Sequence, residues 1–225
     1  MHGELTVVDD LPGAFAATVI SAYQHRSDEL FTLALSGGGT AGPCYERLAA
    51  DSDGAIDWLS VNVYWGDERC VPPDDEASNQ RLGRQTLLEK VGAANAVYPM
   101  RCDEGPDAYA LRVGEVGKFD VIHLGMGPDG HTASLFPGSE ALDADPGQLV
   151  ALNTDPSGRN PLPRMTLTLS AINRARLVVF TVAGAGKRDT LQAVIDGADL
   201  PAGRVDADRV LWLVDRDAAP ARLPS

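Results

Sequence analysis

The stretch FDVIHLGMGPDGHTASLFPG, residues 119–138, joins a predominantly apolar run to a loop rich in glycine and proline. Its first six residues have the pattern of a strand that is buried in a parallel sheet. Three glycines between residues 125 and 130 permit backbone angles that other residues avoid, and Pro128 stiffens the turn. The pattern predicts that His131 is held at a fixed position just beyond the carboxyl end of a buried strand.

Strand-like and helix-like segments alternate on both sides of this stretch. Apolar runs of strand length occupy residues 4–8, 30–35, 58–65, 148–152, 165–169, 175–184 and 209–215. Apolar stripes with helical spacing occupy residues 11–24, 79–92 and 186–197, and residues 103–108 and 153–163 have the composition of loops. The alternation predicts an α/β fold with a mostly parallel sheet and helices on both faces. Ligands of such sheets bind beyond the carboxyl ends of the strands.

The composition excludes several classes of function. The formal net charge of −13 and the lack of a basic run argue against nucleic-acid binding, which depends on clustered Lys and Arg. The N-terminus lacks the pattern of a signal peptide, and no apolar run reaches the roughly 18 residues of a membrane span. We expect a cytoplasmic protein with no nucleic-acid and no membrane partner.

The cysteines give no sign of a structural role. Cys44, Cys70 and Cys102 are odd in number, widely spaced and without a C-x-x-C pair. Neither a disulfide framework nor a zinc site is therefore indicated. We expect three ordinary thiols.

A glycine-rich turn follows the apolar run that ends at residue 35. The sequence SGGGTAGP, residues 36–43, offers free backbone N–H groups, the hydroxyls of Ser36 and Thr40, and a helix that is predicted to begin at Pro43. Such a turn is typical of an anion site at a helix N-terminus. The alternative is a tight turn that binds no ligand.

The same turn also matches the dinucleotide pattern G-x-G-x-x-G through Gly37, Gly39 and Gly42, with Asp67 at the end of the next strand. An NAD-linked dehydrogenase is therefore one alternative. The third glycine of that pattern lies inside the helix, which would place Pro43 beyond the helix start, where its ring and missing N–H are costly. We therefore expect no nucleotide cofactor, and protection by NAD in a thermal shift would contradict this expectation.

A charged triplet, Asp67, Glu68 and Arg69, follows the apolar run that ends at residue 65. An arginine there can bind a phosphate with two N–H groups, and a carboxylate can orient a hydroxyl or a catalytic base. The alternative is a solvated loop. The following PPDDEASN segment is predicted to be a rigid loop that leads into a helix capped near Ser78.

Imidazole is the side chain best suited to exchange protons near neutral pH, so His131 is predicted to be a general base or acid. The alternative is a histidine that only caps the next turn. His123 lies within the strand and is expected to serve packing or a structural hydrogen bond. No metal is predicted, because Asp129 and His131 offer only two ligands. Neither Ser36 nor Ser134 lies in the G-x-S-x-G pattern of a covalent hydrolase.

Five segments taken in chain order resemble the motifs of one enzyme family. They are ALSGGGT, WGDERCVPPDDEASN, FDVIHLGMGPDGHTASLFPGS, RMTLTLSAINRARLVVFTVAGAGK and LPAGRV…LWLVD. They resemble the lactonases of the glucosamine-6-phosphate isomerase/6-phosphogluconolactonase family. The resemblance implies a single domain over residues 1–225 with a modified Rossmann-like sheet. It also implies hydrolysis of 6-phospho-D-glucono-1,5-lactone in the oxidative pentose phosphate pathway, without metal or cofactor, by a monomer or small homo-oligomer.

The resemblance also implies roles for individual residues. His131 would activate water, and either Asp67 or Asp129 would orient its ring. The substrate and its phosphate would contact Ser36, Gly37, Gly38, Thr40, Asp67, Arg69, Arg164 and Lys187. Position 39 is glycine where family members usually carry a hydroxyl residue or go directly to threonine, so the role implied for Thr40 is weaker than that of the two glycines.

Two further alternatives share the implied fold. One is a glucosamine-6-phosphate deaminase, whose motif after the third strand reads DEY where this chain has DER and whose histidine loop differs from TASLFPG. Release of ammonia from glucosamine 6-phosphate would favour it. The other is a sugar-phosphate sensing module of a regulator, which requires a DNA-binding helix pair for which this chain has no basic segment.

Overall fold

A computed structural model describes residues 1–222 of the chain. Its strands are β1 Glu4–Val8, β2 Phe31–Leu35, β3 Val61–Trp65, β4 Asp67–Arg69, β5 Ala96–Val97, β6 Val121–Gly125, β7 Val150–Asn153, β8 Arg164–Leu167, β9 Leu177–Val182 and β10 Val210–Asp215. Seven of them form one sheet in the order β1-β10-β9-β6-β2-β3-β5, and every neighbouring pair is parallel. The predicted α/β fold with a mostly parallel, modified Rossmann-like sheet is confirmed.

The helices are α1 Leu11–Gln24, α2 Ala41–Asp51, α3 Asn79–Gly83, α4 Glu89–Val91, α5 Gly105–Val116, α6 Leu169–Ile172 and α7 Arg188–Ile195. A π-helical segment, Arg84–Leu88, joins α3 to α4. Helix α1 illustrates the pattern: Asp10 caps its N-terminus, and Phe15, Val19 and Tyr23 repeat every fourth residue on the buried face. Burial of each such side chain contributes about 1.5–3 kcal/mol, so packing rather than helix propensity holds α1 in place.

A second, smaller sheet corrects the prediction for the middle of the chain. Strands β4, β8 and β7 pair antiparallel in that order, so the predicted strands at residues 148–152 and 165–169 do not join the parallel sheet. The chain crosses between the sheets at Gly66, whose N–H donates to the carbonyl of Leu35 while its carbonyl accepts from the N–H of Leu167. The charged triplet is therefore a strand with buried side chains at Asp67 and Glu68, and not a solvated loop.

Two local predictions are also wrong. Residues 103–108 are not a loop, because α5 begins at Gly105 with Pro106 in its first turn, where a missing N–H costs nothing. Helix α2 begins at Ala41 rather than at Pro43, so Gly42 does lie inside the helix. Pro43 is still in the first turn, whose N–H groups have no partner within the helix. The argument from Pro43 against a dinucleotide site therefore fails.

The cysteine prediction is wrong for two of the three residues. Cys70 and Cys102 form a disulfide with a Cα–Cα distance of 5.4 Å, and Cys44 is a buried free thiol. Their separation of 32 residues hid the pairing, since only the fold brings the residue after β4 beside the segment before α5. Within residues 1–222, no helix is long and apolar enough to cross a membrane.

Candidate active site

The carboxyl ends of four neighbouring strands, β9, β6, β2 and β3, open into one cleft of about 230 Å³. This is the edge at which ligands of parallel sheets bind. The cleft is lined by nine of the ten residues that the sequence singled out: Ser36, Gly37, Gly38, Thr40, Asp67, Arg69, His131, Arg164 and Lys187. The tenth, Asp129, contacts His131 directly.

The imidazole of His131 is held from one side by a carboxylate. Its Nδ1 lies 2.5 Å from Oδ1 of Asp129, and the two side chains are only 19% and 13% exposed. A carboxylate in this position accepts the Nδ1 proton, which leaves Nε2 as the basic nitrogen of the neutral ring. Of the two carboxylates that the sequence left open, Asp129 is the one that contacts the ring.

The backbone of the histidine loop fits closely around this ring. A Cβ atom at position 127 would lie 2.1 Å from Nδ1 of His131, so only glycine leaves room for the imidazole. The N–H of Gly127 donates to the carbonyl of His131 at 2.8 Å, and the hydroxyl of Thr132 donates to the carbonyl of Gly125. Ala133 has a φ of 47°, a left-handed conformation that tends to persist where the surrounding structure enforces it. The loop is therefore rigid in the sense that the sequence predicts.

Asp67 connects the two sheets rather than orienting the imidazole. Its Oδ2 accepts the hydroxyl of Ser134 at 2.6 Å, and its Oδ1 accepts the amide of Asn79 at 3.1 Å. The guanidinium of Arg164 lies 3.9 Å from Oδ2, in an ion pair that is almost fully buried. Ser134 belongs to the histidine loop, so Asp67 fixes that loop to the small sheet.

Two arginines lie side by side on adjacent strands of the small sheet. Arg69 and Arg164 are direct partners in the antiparallel register of β4 and β8. Like charges directly opposite each other are destabilising, and burial together with the charge of Arg69 lowers the pKa of Arg164. The Nε of Arg69 is buried and has no hydrogen-bond partner within residues 1–222. An anion in the cleft would relieve the repulsion between the two guanidinium groups.

The glycine loop forms the opposite side of the cleft. Gly38 has a φ of 91°, which side chains other than glycine rarely adopt. Thr40 directly precedes α2, yet its hydroxyl makes no capping hydrogen bond and remains available to a ligand. A Cβ atom at Gly37 would lie 1.7 Å from Oδ1 of Asn79, so the loop can approach α3 only without a side chain there. Free N–H groups, a hydroxyl and a helix N-terminus together favour an anion.

Lys187 supplies a third cation to the cleft. It lies in the segment after β9; its backbone N–H donates to the carbonyl of Gly184, and its ammonium group forms no hydrogen bond or ion pair within residues 1–222. Partial burial lowers the pKa of Lys187, and the negative charge of Asp129 opposes that shift. A second anion, such as a bound phosphate, would favour the charged form of this lysine.

Glu68 is a residue whose importance the sequence did not reveal. Its carboxylate accepts the backbone N–H groups of Arg69, Asn79 and Gln80 and the hydroxyl of Ser78. Burial raises the pKa of Glu68, and these four hydrogen bonds oppose the shift. Glu68 therefore ties the segment that carries Arg69 to the start of α3, and Ser78 caps that helix as predicted.

Four further cleft residues were missed as site residues: Asn79, His123, Asn160 and Thr181. Asn79 stands at the end of the WGDERCVPPDDEASN motif, so the motif contained it. Asn160 reaches the cleft because Asp155 accepts both its backbone N–H and its side-chain amide. Nothing in the local sequence marks Thr181, which is one residue in an apolar run. The expected structural role of His123 agrees with its hydrogen bonds to Tyr45 and Thr181.

Comparisons with known proteins point to one family. A family model described as glucosamine-6-phosphate isomerases/6-phosphogluconolactonase matches residues 6–212. The chain is 41% identical to the 6-phosphogluconolactonase of Mycobacterium tuberculosis over 96% of this chain and 92% of that protein. It is 39% identical to the 6-phosphogluconolactonase of Synechocystis over 83% of this chain and 82% of that protein.

Solved structures extend the comparison to the fold. The crystal structure of 6-phosphogluconolactonase from Thermotoga maritima superposes with a TM-score of 0.82 at 29% identity, covering 94% of this chain and 99% of that one. A monomeric glucosamine-6-phosphate deaminase superposes with a TM-score of 0.81 at 17% identity, covering 96% and 98%, and therefore shares the fold alone.

The fold and the cleft define an α/β protein with a histidine, two arginines and a lysine in one cleft at the carboxyl ends of parallel strands. The family match covers nearly the whole chain, and the resemblance seen in the motifs is confirmed. The chain belongs to the family of glucosamine-6-phosphate isomerases and 6-phosphogluconolactonases.

Proposed function

We propose that this chain hydrolyses 6-phospho-D-glucono-1,5-lactone to 6-phosphogluconate, with His131 as the base. The observation that carries the proposal is the contact between His131 Nδ1 and Asp129 in a cleft that also contains Arg69, Arg164 and Lys187. The identity of 41% to a 6-phosphogluconolactonase supports the same substrate. A lactone with a distant phosphate needs one basic group beside an anion site, and this cleft offers both.

The reaction follows from the chemistry of the ester. Nε2 of His131 takes a proton from water as the water oxygen bonds to the lactone carbonyl carbon. The bond between that carbon and the ring oxygen then breaks, and the imidazolium returns its proton to the departing oxygen. Asp129 stabilises the imidazolium between these steps, as the carboxylate of a catalytic triad does. This acid–base assistance is typically worth about 10²- to 10⁴-fold in rate.

The phosphate positions the lactone. We assign its binding to Ser36, Gly37, Gly38 and Thr40 of the glycine loop together with the charges of Arg164 and Lys187. Arg69 and Asp67 line the remainder of the substrate site. Binding energy from the remote phosphate aligns the carbonyl with the base, and this accounts for acceleration beyond acid–base chemistry.

The setting of the reaction is part of the same proposal. A sugar phosphate carries charge and does not cross a membrane unaided, so we place the activity in the cytoplasm, in the oxidative pentose phosphate pathway. We treat residues 1–225 as one functional unit, because residues of both sheets line the cleft. We expect this unit to act as a monomer or a small homo-oligomer.

The test compares hydrolysis of 6-phosphogluconolactone by the wild-type protein with the spontaneous rate, in a pH-stat. His131→Ala should lower kcat at least about 100-fold with little change in thermal stability. His25→Ala is the matched control, because His25 is exposed and its imidazole forms a hydrogen bond only to the carbonyl of Ser21 within the described chain. Retention of most activity by His131→Ala would exclude this base. Ammonia release from glucosamine 6-phosphate, without lactone hydrolysis, would instead favour the deaminase alternative.

A further inference from the structure

A buried chain of hydrogen bonds lies beneath the glycine loop and takes no part in the proposed reaction. The N–H of Ser36 donates to Oη of Tyr45 at 2.6 Å, and that oxygen lies 3.1 Å from the carbonyl oxygen of Ser36. Nδ1 of His123 lies 2.8 Å from Oη of Tyr45, and Nε2 of His123 lies 2.8 Å from Oγ1 of Thr181. The chain therefore connects the end of β2 to the end of β9.

Every side chain in this connection is buried. Tyr45, His123 and Thr181 are at most 2% exposed, and the ring of Phe15 packs 4.3 Å from the imidazole. Burial lowers the pKa of His123 to about 3, so the ring is neutral, with one nitrogen that donates and one that accepts. Because these side chains are buried, each lost bond would leave a buried polar atom without its present partner.

The two ends of the connection lie at the cleft. Ser36 begins the glycine loop, and Thr181 and His123 line the cleft below it. Both backbone groups of Ser36 are held by a single hydroxyl, so the direction in which the following N–H groups point depends on Tyr45. His123 in turn fixes the position of that hydroxyl and of the hydroxyl of Thr181.

We propose that Tyr45 and His123 are positioning residues that fix the glycine loop and Thr181 in the geometry that holds the substrate phosphate. The inference rests on the proposed function, because it assigns the phosphate to this loop. Neither side chain contacts substrate in the proposed reaction. Their loss should therefore weaken phosphate binding much more than it slows the chemical step at His131.

The neighbouring strand offers a matched control. Oη of Tyr109 accepts the N–H of Trp65 at 2.9 Å and lies 3.1 Å from the carbonyl oxygen of Trp65. This is the same bridge at the end of β3, and Tyr109 is also buried, at 5% exposed. Within residues 1–222 the hydroxyl of Tyr109 bonds only to the backbone of Trp65 and does not continue to a histidine, and Tyr109→Phe leaves the separate bond from the indole N–H of Trp65 to the carbonyl of Asn79 in place. Tyr45→Phe and Tyr109→Phe therefore remove the same group from the same local geometry.

The experiment measures kcat and KM for 6-phosphogluconolactone, and the Kd of 6-phosphogluconate by calorimetry, in wild type, Tyr45→Phe and Tyr109→Phe. Tyr45→Phe should raise KM and Kd about tenfold and change kcat less than about threefold, because an unpaired buried group displaces the loop. Tyr109→Phe should lower the melting temperature similarly and leave KM and Kd within about twofold. A second pair of variants changes Thr181. Thr181→Val, which lacks the hydroxyl, should raise KM as much as Tyr45→Phe does, and Thr181→Ser, which keeps it, should have the KM of wild type.

The outcomes separate the positioning role of Tyr45 and His123 from the proposed hydrolysis of the lactone. An active wild type with equal KM in both tyrosine variants, or with equal KM in Thr181→Val and Thr181→Ser, overturns the positioning role and leaves the proposed function intact. A wild type that neither hydrolyses the lactone nor binds 6-phosphogluconate overturns the proposed function and this inference with it. If Tyr45→Phe does not fold, the Thr181 pair gives the answer by itself.

Discussion

The cleft has two walls that arise in different ways. One, the strand-end wall, consists of Ser36–Thr40, His131 and Lys187, each of which lies in the segment that follows a strand of the parallel sheet. The other, the small-sheet wall, consists of Asp67, Arg69 and Arg164, which come together through antiparallel pairing of distant segments. The strand-end wall depends on short local motifs, whereas the small-sheet wall depends on tertiary contacts. We therefore expect His131 and the loop that holds it, in the first wall, to control turnover, and the second wall to control stability and to share substrate capture with the glycine loop and Lys187.

The largest effect is expected in the strand-end wall. In Gly127→Ala the new methyl group would overlap the imidazole of His131, which must rotate away from its productive position. We expect kcat to fall by at least about 100-fold, because a displaced base no longer reaches the water. Gly147→Ala is the control, since position 147 has open space around it. A kcat within threefold of wild type in Gly127→Ala would mean that loop packing does not position the ring.

In the small-sheet wall we expect a smaller effect on activity and a clear effect on stability. The disulfide between Cys70 and Cys102 constrains the segment next to Arg69. Cys102→Ser should lower the free energy of unfolding by about 3 to 4 kcal/mol, the value expected for a loop of this length. Urea unfolding measures this change. Dithiothreitol should destabilise the wild type by the same amount and have no further effect on Cys102→Ser. Equal stability of wild type and variant would contradict the expectation that the small-sheet wall depends on tertiary contacts for its stability.

The smallest effect is expected for a single cation of the small-sheet wall. Arg164→Gln removes one charge from the proposed phosphate site and also relieves the repulsion from Arg69. We expect KM for the lactone to rise about tenfold, within the range for loss of one charged hydrogen bond, and kcat to change little. Arg112→Gln serves as the control, because Arg112 is exposed on α5. A fall in kcat without a rise in KM would place Arg164 at the reacting carbonyl instead.

Much of the strand-end wall was predictable because its determinants are local. A run of apolar residues predicts a buried strand, and glycine, proline and histidine directly after it predict a rigid loop at the sheet edge. Helix α1 was predicted with its observed bounds, Leu11–Gln24, for the same reason. The choice between Asp67 and Asp129 as partner of His131 was not predictable, because it depends on a contact of 2.5 Å inside a folded loop.

For the small-sheet wall, the sequence identified the residues but did not predict the antiparallel sheet that brings them together. The sequence singled out Asp67, Arg69 and Arg164, yet it indicated a loop after β3 and parallel strands later in the chain. The antiparallel register that places Arg69 opposite Arg164 depends on pairing between distant segments. The same holds for the disulfide and for the four hydrogen bonds to Glu68.

By itself the sequence determined the class of fold, eight of the ten strands along the described chain and the position of His131 beyond a strand end, because periodicity and turn chemistry act over a few residues; β4 and β5 were not predicted. The tertiary structure alone decided which carboxylate holds the imidazole, which hydroxyl anchors the glycine loop and which cations face each other. Those outcomes depend on the spatial order of the strands, which brings together residues that have no local reason to meet.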